Sequence, residues 1–347
     1  MRSLDYKVLM DTNWPSDIIF GVPGAPEDSI LSRGDRLVLA GEQKSGKSVL
    51  VAQMVRGLTM GTDWLGFPVL GGPRCVLYVQ AELRPGRLKK RYGPWEAANA
   101  GLPQVPEGKF FVWSTEGPLY LTGLADYERL PEEERRERGR HPLMKLYDEI
   151  NEVKPDVIVF DPFVCFHDGE EKSGQDLMKF LTLLDEIKNH ASEAGAAIVI
   201  VHHFRKQDPR ETGKIPLIER FRGSSVLAGW ADSLIGIGLG PIPDTKYLEF
   251  TLRDSDSCPQ RNLQYNYTRK EFDWTDPFTD ARNWAIRRLQ EAPEQRERRG
   301  DFLLAIRSAA ACQCVTNQQA DDFLGVLIRR RVVKEVAEGM ARWICLE

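Results

Sequence analysis

The chain has 347 residues, of which 42% are apolar and 28% are charged, as in a globular protein with one large domain or one domain plus a small addition. No run of 18 or more apolar residues is present, and the first residues lack the apolar core of a signal peptide, so the sequence excludes a membrane-spanning helix and indicates a cytoplasmic protein. Six cysteines in so long a chain do not form a disulfide framework, and a net charge of −4 argues against a protein that coats duplex DNA.

Short apolar runs that predict β-strands alternate with helical stretches over roughly the first 240 residues. The runs are rich in valine and isoleucine and do not alternate with polar residues, which is typical of strands buried on both faces of a parallel sheet. We therefore predict an α/β fold with a mostly parallel central sheet. The predicted strands are residues 36–40, 75–79, 157–160 and 196–201, and helical spacing follows at 48–60 and 177–187.

The motif GxxxxGK[ST] lies between the first predicted strand and the first predicted helix, at residues 41–48. Its glycines allow backbone N–H groups to turn towards a phosphate, and the helix that follows presents its positive end. In this motif the lysine contacts the β- and γ-phosphates, and the Ser48 hydroxyl is a ligand of Mg²⁺. The sequence thus predicts that ATP and Mg²⁺ bind to nine consecutive residues: Gly41, Glu42, Gln43, Lys44, Ser45, Gly46, Lys47, Ser48 and Val49.

Two carboxylates follow other predicted strands. Asp161 ends the run 157–160, where it can hold the Mg²⁺ shell or, alternatively, cap the next turn. The following residue is Pro162 rather than glutamate, so the group that orients the attacking water has to come from another strand. Glu82 ends the strand-like run 76–81 and is the predicted base, because the carboxyl ends of parallel strands share one crevice. The alternative for Glu82 is an ordinary surface glutamate.

The pattern changes after about residue 230. Three consecutive strand-like runs predict an antiparallel extension at the edge of the sheet, at residues 232–239, 246–252 and 262–274. The charged segment 291–300 lacks apolar periodicity and indicates a linker or a solvated helix.

Two helical stretches and a hairpin pattern around residues 337–339 complete the chain. This order predicts a small winged-helix-like domain, with a capping subdomain as the alternative. The predicted organisation is an ATPase domain at 1–290, a linker at 291–300 and a winged-helix-like domain at 301–347.

Together these parts resemble the RecA-like P-loop ATPases, and within them the hexameric RepA-type replicative DNA helicases. The resemblance covers roughly residues 30–255 and leaves the winged-helix-like domain outside it. The phosphate-binding loop is its least specific part. The more telling parts are Val-Leu-Tyr-Val-Gln-Ala-Glu at 76–82 with a basic helix after it, Val-Ile-Val-Phe-Asp at 157–161, the pair His202-His203, and Arg-Gly-Ser-Ser at 222–225.

The resemblance implies roles for several of these residues. Glu82 would be the catalytic glutamate, and His202 or His203 would sense the γ-phosphate; the alternative is one core and one surface histidine. In RecA-like hexamers a basic residue of the neighbouring subunit completes the site. Arg253, on a late predicted strand, is the first candidate for that residue and Arg222 is the second.

The resemblance also implies where nucleic acid would bind. In RecA-like proteins the loop after the fourth strand contacts single-stranded DNA, and here that loop is basic and begins at Phe204, which could stack on a base. Neutralisation of phosphates makes such binding sensitive to salt. An ordinary solvated loop is the alternative. The predicted nucleic-acid-binding residues are Arg205, Lys206, Lys214 and Arg222.

We therefore predict an ATP-hydrolysing motor that acts on single-stranded DNA, a RepA-type helicase that forms a homo-oligomeric ring. One alternative is a recombinase that uses the same core to form filaments on DNA. Another is a nucleotide-switched regulatory protein whose small domain binds DNA or a protein partner.

Overall fold

The computed structural model describes residues 16–22, 25–101, 104–115, 117–169, 173–192, 195–205, 215–221, 225–240, 245–253, 255, 258, 260–275, 277–309, 312, 314, 316–329, 332–339 and 341–347. The chain divides into two compact units. The first contains residues up to 239 together with 249–258 and 265–272, and the second contains 240–248, 259–264 and 273–347. No described helix is long and apolar enough to cross a membrane.

The first unit is built from alternating strands and helices. In chain order they are β1 (Ile18–Val22), β2 (Ala25–Ser32), β3 (Arg36–Gly41), α1 (Lys47–Met60), β4 (Val76–Gln80), α2 (Pro85–Ala98), β5 (Phe110–Ser114), α3 (Leu124–Arg129), α4 (Glu132–Arg138), α5 (Pro142–Val153), β6 (Val157–Asp161), α6 (Gly174–Ala191), β7 (Ala197–His203), α7 (Ser225–Trp230) and β8 (Ser233–Leu239).

A parallel sheet forms the centre of this unit. Six of the described strands lie side by side in the order β8-β3-β7-β6-β4-β5, and each neighbouring pair is parallel. Every residue of β4 and β6 is buried, as the unbroken apolar runs predict. The predicted α/β fold with a mostly parallel central sheet is confirmed.

Helices cover the sheet with apolar stripes. In α6 the side chain of Ser173 caps the first turn by accepting from the Asp176 N–H at 3.3 Å. Five residues of this helix at intervals of three and four are buried in the core around the sheet, as their spacing predicts: Leu177, Phe180, Leu181, Leu184 and Ile187.

The register of the parallel strands brings distant parts of the sequence to one edge. Gly41, where the phosphate-binding loop begins, is paired with His203 at the end of β7. On the other side of β7, Asp161 at the end of β6 is paired with Gln80 at the end of β4. The carboxyl ends of these four strands therefore form one continuous edge.

Two expectations for the region after residue 230 were wrong. Strand β8 is parallel to β3 and belongs to the parallel sheet, rather than to an antiparallel extension. The run 262–274 is two strands, because residues 267–270 form a turn between β10 (Arg261–Asn266) and β11 (Glu271–Thr275). The predicted antiparallel pairing is present between β10 and β9 (Thr245–Leu252), where Leu248 is paired with Arg261.

The second unit ends in a small helical and three-stranded module. Its elements are α8 (Pro277–Glu291), β12 (Arg296–Arg298), α9 (Arg299–Ser308), α10 (Asn317–Arg329), β13 (Val333–Glu338) and β14 (Ala341–Leu346). The strands are antiparallel in the order β12-β14-β13, which confirms the predicted hairpin around 337–339. Part of the segment 291–300, expected to be a linker or a solvated helix, forms β12, so the expected boundaries at 290 and 300 fall inside this unit.

The amino edge of the parallel sheet carries an ion-pair cluster. Asp232, directly before β8, accepts from the backbone N–H and the Nε of Arg36 at 3.0 and 2.8 Å, and from Arg253 Nη1 at 2.6 Å. Burial by itself would raise the pKa of Asp232, but the hydrogen bonds and positive charges of the two arginines outweigh it and hold the pKa below its usual range. The cluster ties the start of β3 to the start of β8.

We expect Asp232→Ala to destabilise the protein by about 2 kcal/mol or more, because it removes the carboxylate that hydrogen-bonds to the partly buried Arg36 and leaves it the longer ion pair with Asp185 at 3.6 Å. Urea unfolding measures the loss, which should shrink as the pH falls through the lowered pKa of Asp232 in the folded protein. Asp148→Ala breaks the exposed pair with Arg140 and is the control, with an expected loss below about 1 kcal/mol. Equal losses in the two variants would contradict this interpretation.

Candidate functional site

A cavity of about 340 Å³ lies at the carboxyl edge of the parallel sheet. It brings together the phosphate-binding loop and residues from three other strand ends, which the sequence analysis had selected separately. The lining residues are Lys44, Ser45, Gly46, Lys47, Ser48, Val49, Glu82, Asp161, Pro162, Val201 and His203.

The phosphate-binding loop has the conformation that its glycines allow. Gly46 has φ 98°, in the left-handed region, and helix α1 begins at the next residue. A Cβ on Gly46 would lie 2.9 Å from Cζ of Phe272, and a Cβ on Gly41 would lie 2.7 Å from Oγ of Ser45. Both positions therefore require glycine. The first turn of a helix leaves backbone N–H groups without helical partners, which makes this end of α1 suited to a phosphate.

Lys47 is held inside the loop. Its Nζ donates to the carbonyl oxygens of Gly41 at 2.9 Å and Glu42 at 2.7 Å, and the residue is 8% exposed. Burial lowers the pKa of the Lys47 ammonium to about 8, while the nearby charges of Asp161, Glu42 and Glu82 act in the opposite direction. A partly desolvated cation at the amino-terminal end of a helix favours the binding of a polyphosphate.

Ser48 and Asp161 line the cavity with a hydroxyl and a carboxylate, and oxygen atoms of this kind are the ligands that Mg²⁺ prefers. Asp161 is buried, and its Oδ2 accepts from the hydroxyl of Tyr78 at 2.5 Å. Burial raises the pKa of that hydroxyl well above its ordinary value, so Tyr78 is the donor. No group of three or more His, Cys, Asp or Glu side chains forms a metal cluster among the described residues. A hydroxyl and a carboxylate fit Mg²⁺ that takes its remaining ligands from phosphates and water.

Glu82 lies two residues beyond β4, with an exposed side chain that lines the cavity. The turn that carries it is fixed by Gln80, whose Oε1 accepts from the backbone N–H groups of Glu82 at 2.9 Å and Leu83 at 2.6 Å. Gln80 is 1% exposed. Neither Gln80 nor Tyr78 was among the site residues predicted from the sequence, although a polar side chain in an otherwise apolar buried strand is a signal for a fixed hydrogen bond.

The two histidines of β7 have different surroundings. Successive residues of a strand point to opposite faces, so the two histidine rings lie on opposite faces of the sheet. His203 lines the cavity beside Gly41. His202 is 2% exposed, and its ring packs edge-on against Phe163 with centroids 5.2 Å apart. The geometry thus separates the pair into one cavity residue and one core residue.

The structure does not bring Arg253 to this cavity. The residue lies at the amino edge of the sheet, where its Nη2 also donates to the carbonyl oxygens of Gly229 at 2.7 Å and Ala231 at 3.1 Å. Arg205 donates from Nε to the carbonyl oxygen of Glu219 at 2.8 Å. The other three predicted nucleic-acid-binding residues lie outside the described residues: Lys206, Lys214 and Arg222.

A sequence profile described as AAA domain matches residues 26–209, slightly more than half of the chain. The chain belongs to the AAA domain family. The match spans the phosphate-binding loop, Glu82, Asp161 and both histidines, and the prediction of a P-loop ATPase is thereby confirmed at the level of the family.

Comparison with solved structures found a KaiC-like protein from the hyperthermophilic archaeon Pyrococcus horikoshii OT3. It is 15% identical to this AAA domain protein with a TM-score of 0.47, over 75% of this chain and 100% of the other. A search of curated protein sequences gave no match.

Gly46→Ala should weaken nucleotide binding by about tenfold or more, because a non-glycine residue in the left-handed region costs about 1–2 kcal/mol and the added methyl meets Phe272. Titration with a fluorescent ADP analogue measures the affinity. Gly86→Ala in α2 adds the same methyl group where nothing lies within 4 Å, and should leave the affinity unchanged. Equal affinity in the Gly46 variant and the wild type would show that the loop binds in another conformation.

Proposed function

We propose that the chain is an ATP-hydrolysing motor that acts on single-stranded DNA, of the kind that RepA-type replicative helicases represent. The observation that carries the ATPase part is that the lysine and the second serine of the phosphate-binding motif share a single cavity with two carboxylates and a histidine from other strands. These side chains are Lys47, Ser48, Glu82, Asp161 and His203.

Each group has a chemical role in hydrolysis. Lys47 binds the β- and γ-phosphate oxygens, and Ser48 and Asp161 hold Mg²⁺, which when bound neutralises charge on the phosphates. Glu82 is exposed to the cavity, so its carboxylate orients the attacking water and accepts its proton. His203 hydrogen-bonds to the γ-phosphate and is the proposed sensor, since His202 is enclosed in the core.

Glu82→Gln is expected to keep ATP binding and lower kcat by about a hundredfold or more, because the amide cannot accept the proton of the water. Lys47→Ala should weaken the binding of ATP itself. Phosphate release and fluorescent-nucleotide titration on the same preparations separate the two effects. Turnover retained in Glu82→Gln would assign the base to another residue.

The nucleic-acid part of the proposal is supported by a basic surface on α2, the helix that follows Glu82. This α2 basic surface consists of the exposed residues Arg84, directly before the helix, and Arg87, Lys89 and Lys90 within it. Within the described part of the chain, no acidic side chain pairs with the last three of them.

Helix α4 provides the contrast within the same chain. There exposed arginines pair with glutamates one turn away, as in Arg136 with Glu132 and Arg138 with Glu134. A surface with one sign of charge, in a chain with a net charge of −4, is suited to the phosphates of a nucleic acid. Its position directly after Glu82 would allow bound DNA to affect hydrolysis.

We also propose a homo-oligomer, in which a neighbouring subunit supplies a further cation to each site. Among the described residues that line the cavity, the lysines are Lys44 and Lys47, and no arginine is present. Transition states of phosphoryl transfer are strongly stabilised by an arginine from a neighbour. Arg253, with 44% of its side chain exposed, remains the first candidate for this cation. Arg222 remains the second candidate.

The small C-terminal module is proposed to be a winged helix. Its order is helix, strand, two helices and two strands, with the first strand at the edge of the antiparallel sheet beside the last. This order starts at α8, before the sequence-predicted boundary at 301. Such a module would bind nucleic acid or a partner protein.

Single-stranded DNA should stimulate ATP hydrolysis several-fold, and replacing Arg87, Lys89 and Lys90 together by glutamine should abolish most of the stimulation and flatten its dependence on salt. The matched control removes three positive charges from α3 and α4 by replacing Arg129, Arg136 and Arg138, and should retain the stimulation. No stimulation of the wild type by any nucleic acid would contradict the DNA motor. Electron micrographs then distinguish the proposed closed rings from filaments on DNA.

A further inference from the structure

Tyr78 is an isolated polar side chain in the buried strand β4. The whole residue is inaccessible to solvent, and its neighbours in the strand are apolar apart from Gln80. A buried hydroxyl is costly unless it is hydrogen-bonded. That hydroxyl donates to Oδ2 of Asp161, on the adjacent strand β6, at 2.5 Å.

The strand pairing makes this contact possible. Gln80 is opposite Asp161 in the register of β4 and β6, and Tyr78 is two residues earlier on β4, opposite Val159. Residues two apart on a strand point to the same face, so the long tyrosine side chain can reach the carboxylate diagonally. The Tyr78 ring is supported by Phe110 of β5, with ring centroids 6.4 Å apart.

A second tyrosine extends the contact. Tyr92 of α2 lies beside the Tyr78 hydroxyl and interacts with it. The chain Tyr92–Tyr78–Asp161 thus connects the carboxylate of the cavity to the helix that follows Glu82.

We propose that Tyr78 is a positioning residue for Mg²⁺: by holding Oδ2, it fixes the orientation in which the Asp161 carboxylate meets the metal. Removal of a residue that hydrogen-bonds to a metal-binding carboxylate commonly lowers metal affinity by about 10–100-fold. The inference rests on the proposed role of Asp161. It adds to that role a residue that the phosphate-binding motif does not contain.

The test is the Mg²⁺ dependence of nucleotide binding, measured with a fluorescent ADP analogue at increasing Mg²⁺ concentration. Tyr78→Phe keeps the ring and removes the hydroxyl. We expect this variant to need about tenfold more Mg²⁺ to reach half of the Mg²⁺-dependent change in nucleotide affinity. Its affinity for the nucleotide without Mg²⁺ should be unchanged. Tyr92→Phe should give a smaller shift in the same direction. Tyr147→Phe, which removes a partly buried hydroxyl in α5, is the control and should give none.

Asp161→Asn distinguishes failure of the inference from failure of the proposed metal role. If Asp161→Asn shifts the Mg²⁺ dependence and Tyr78→Phe does not, the hydroxyl is only structural and the inference is overturned. If neither variant shifts it, the metal role of Asp161 is wrong as well. In the Asp161→Asn background Tyr78→Phe should give no further shift, since the two residues would act through one contact. Melting curves of all variants show whether a change in folding accounts for the result.

Discussion

The candidate site depends on the parallel hydrogen-bonded register of four neighbouring strands. Because β7 lies between β3 and β6, the phosphate-binding loop, His203 and Asp161 end at one edge of the sheet. The pairing of β4 with β6 adds Gln80 and, just beyond it, Glu82. A shift of one residue in any of these ladders would turn the side chains at its end to the opposite face.

Two charged groups of the cavity, Lys47 and Asp161, are buried, and each has a partner that reduces the cost of burial. The Lys47 ammonium donates to two carbonyl oxygens of its own loop, and the Asp161 carboxylate accepts from Tyr78. Partly desolvated charges interact more strongly with an incoming polyphosphate and its metal than exposed charges do. The two polar side chains within β4, Tyr78 and Gln80, therefore hold groups that line the cavity at the carboxyl end of the strand.

The charge of the whole chain is a poor guide to its partners. A net charge of −4 coexists with the α2 basic surface, because the acidic residues lie elsewhere, for example in the paired rows of α4. Binding of a polyanion requires positive charge only on the surface that contacts it, and local patterns of charge indicate such a surface better than the net charge does.

Local sequence patterns were sufficient for much of the fold. The phosphate-binding motif, the unbroken apolar strands and the spacing of α6 each involve residues close together in the chain, so their geometry follows from local preferences. The predicted antiparallel direction of β8 was wrong, and the turn that divides β10 from β11 was not predicted. Apolar runs predict strands without indicating which strand they pair with.

The sequence by itself determined which residues could bind phosphate and Mg²⁺, because motif spacing fixes the chemistry of consecutive residues. Only the tertiary structure decided that His203 rather than His202 faces the cavity, that Gln80 holds the turn before Glu82, and that Tyr78 contacts Asp161. Alternation along β7 separates the two histidines, but which face receives the nucleotide depends on the neighbouring strands. Contacts between strands distant in the chain are set by pairing and register, which no local pattern contains.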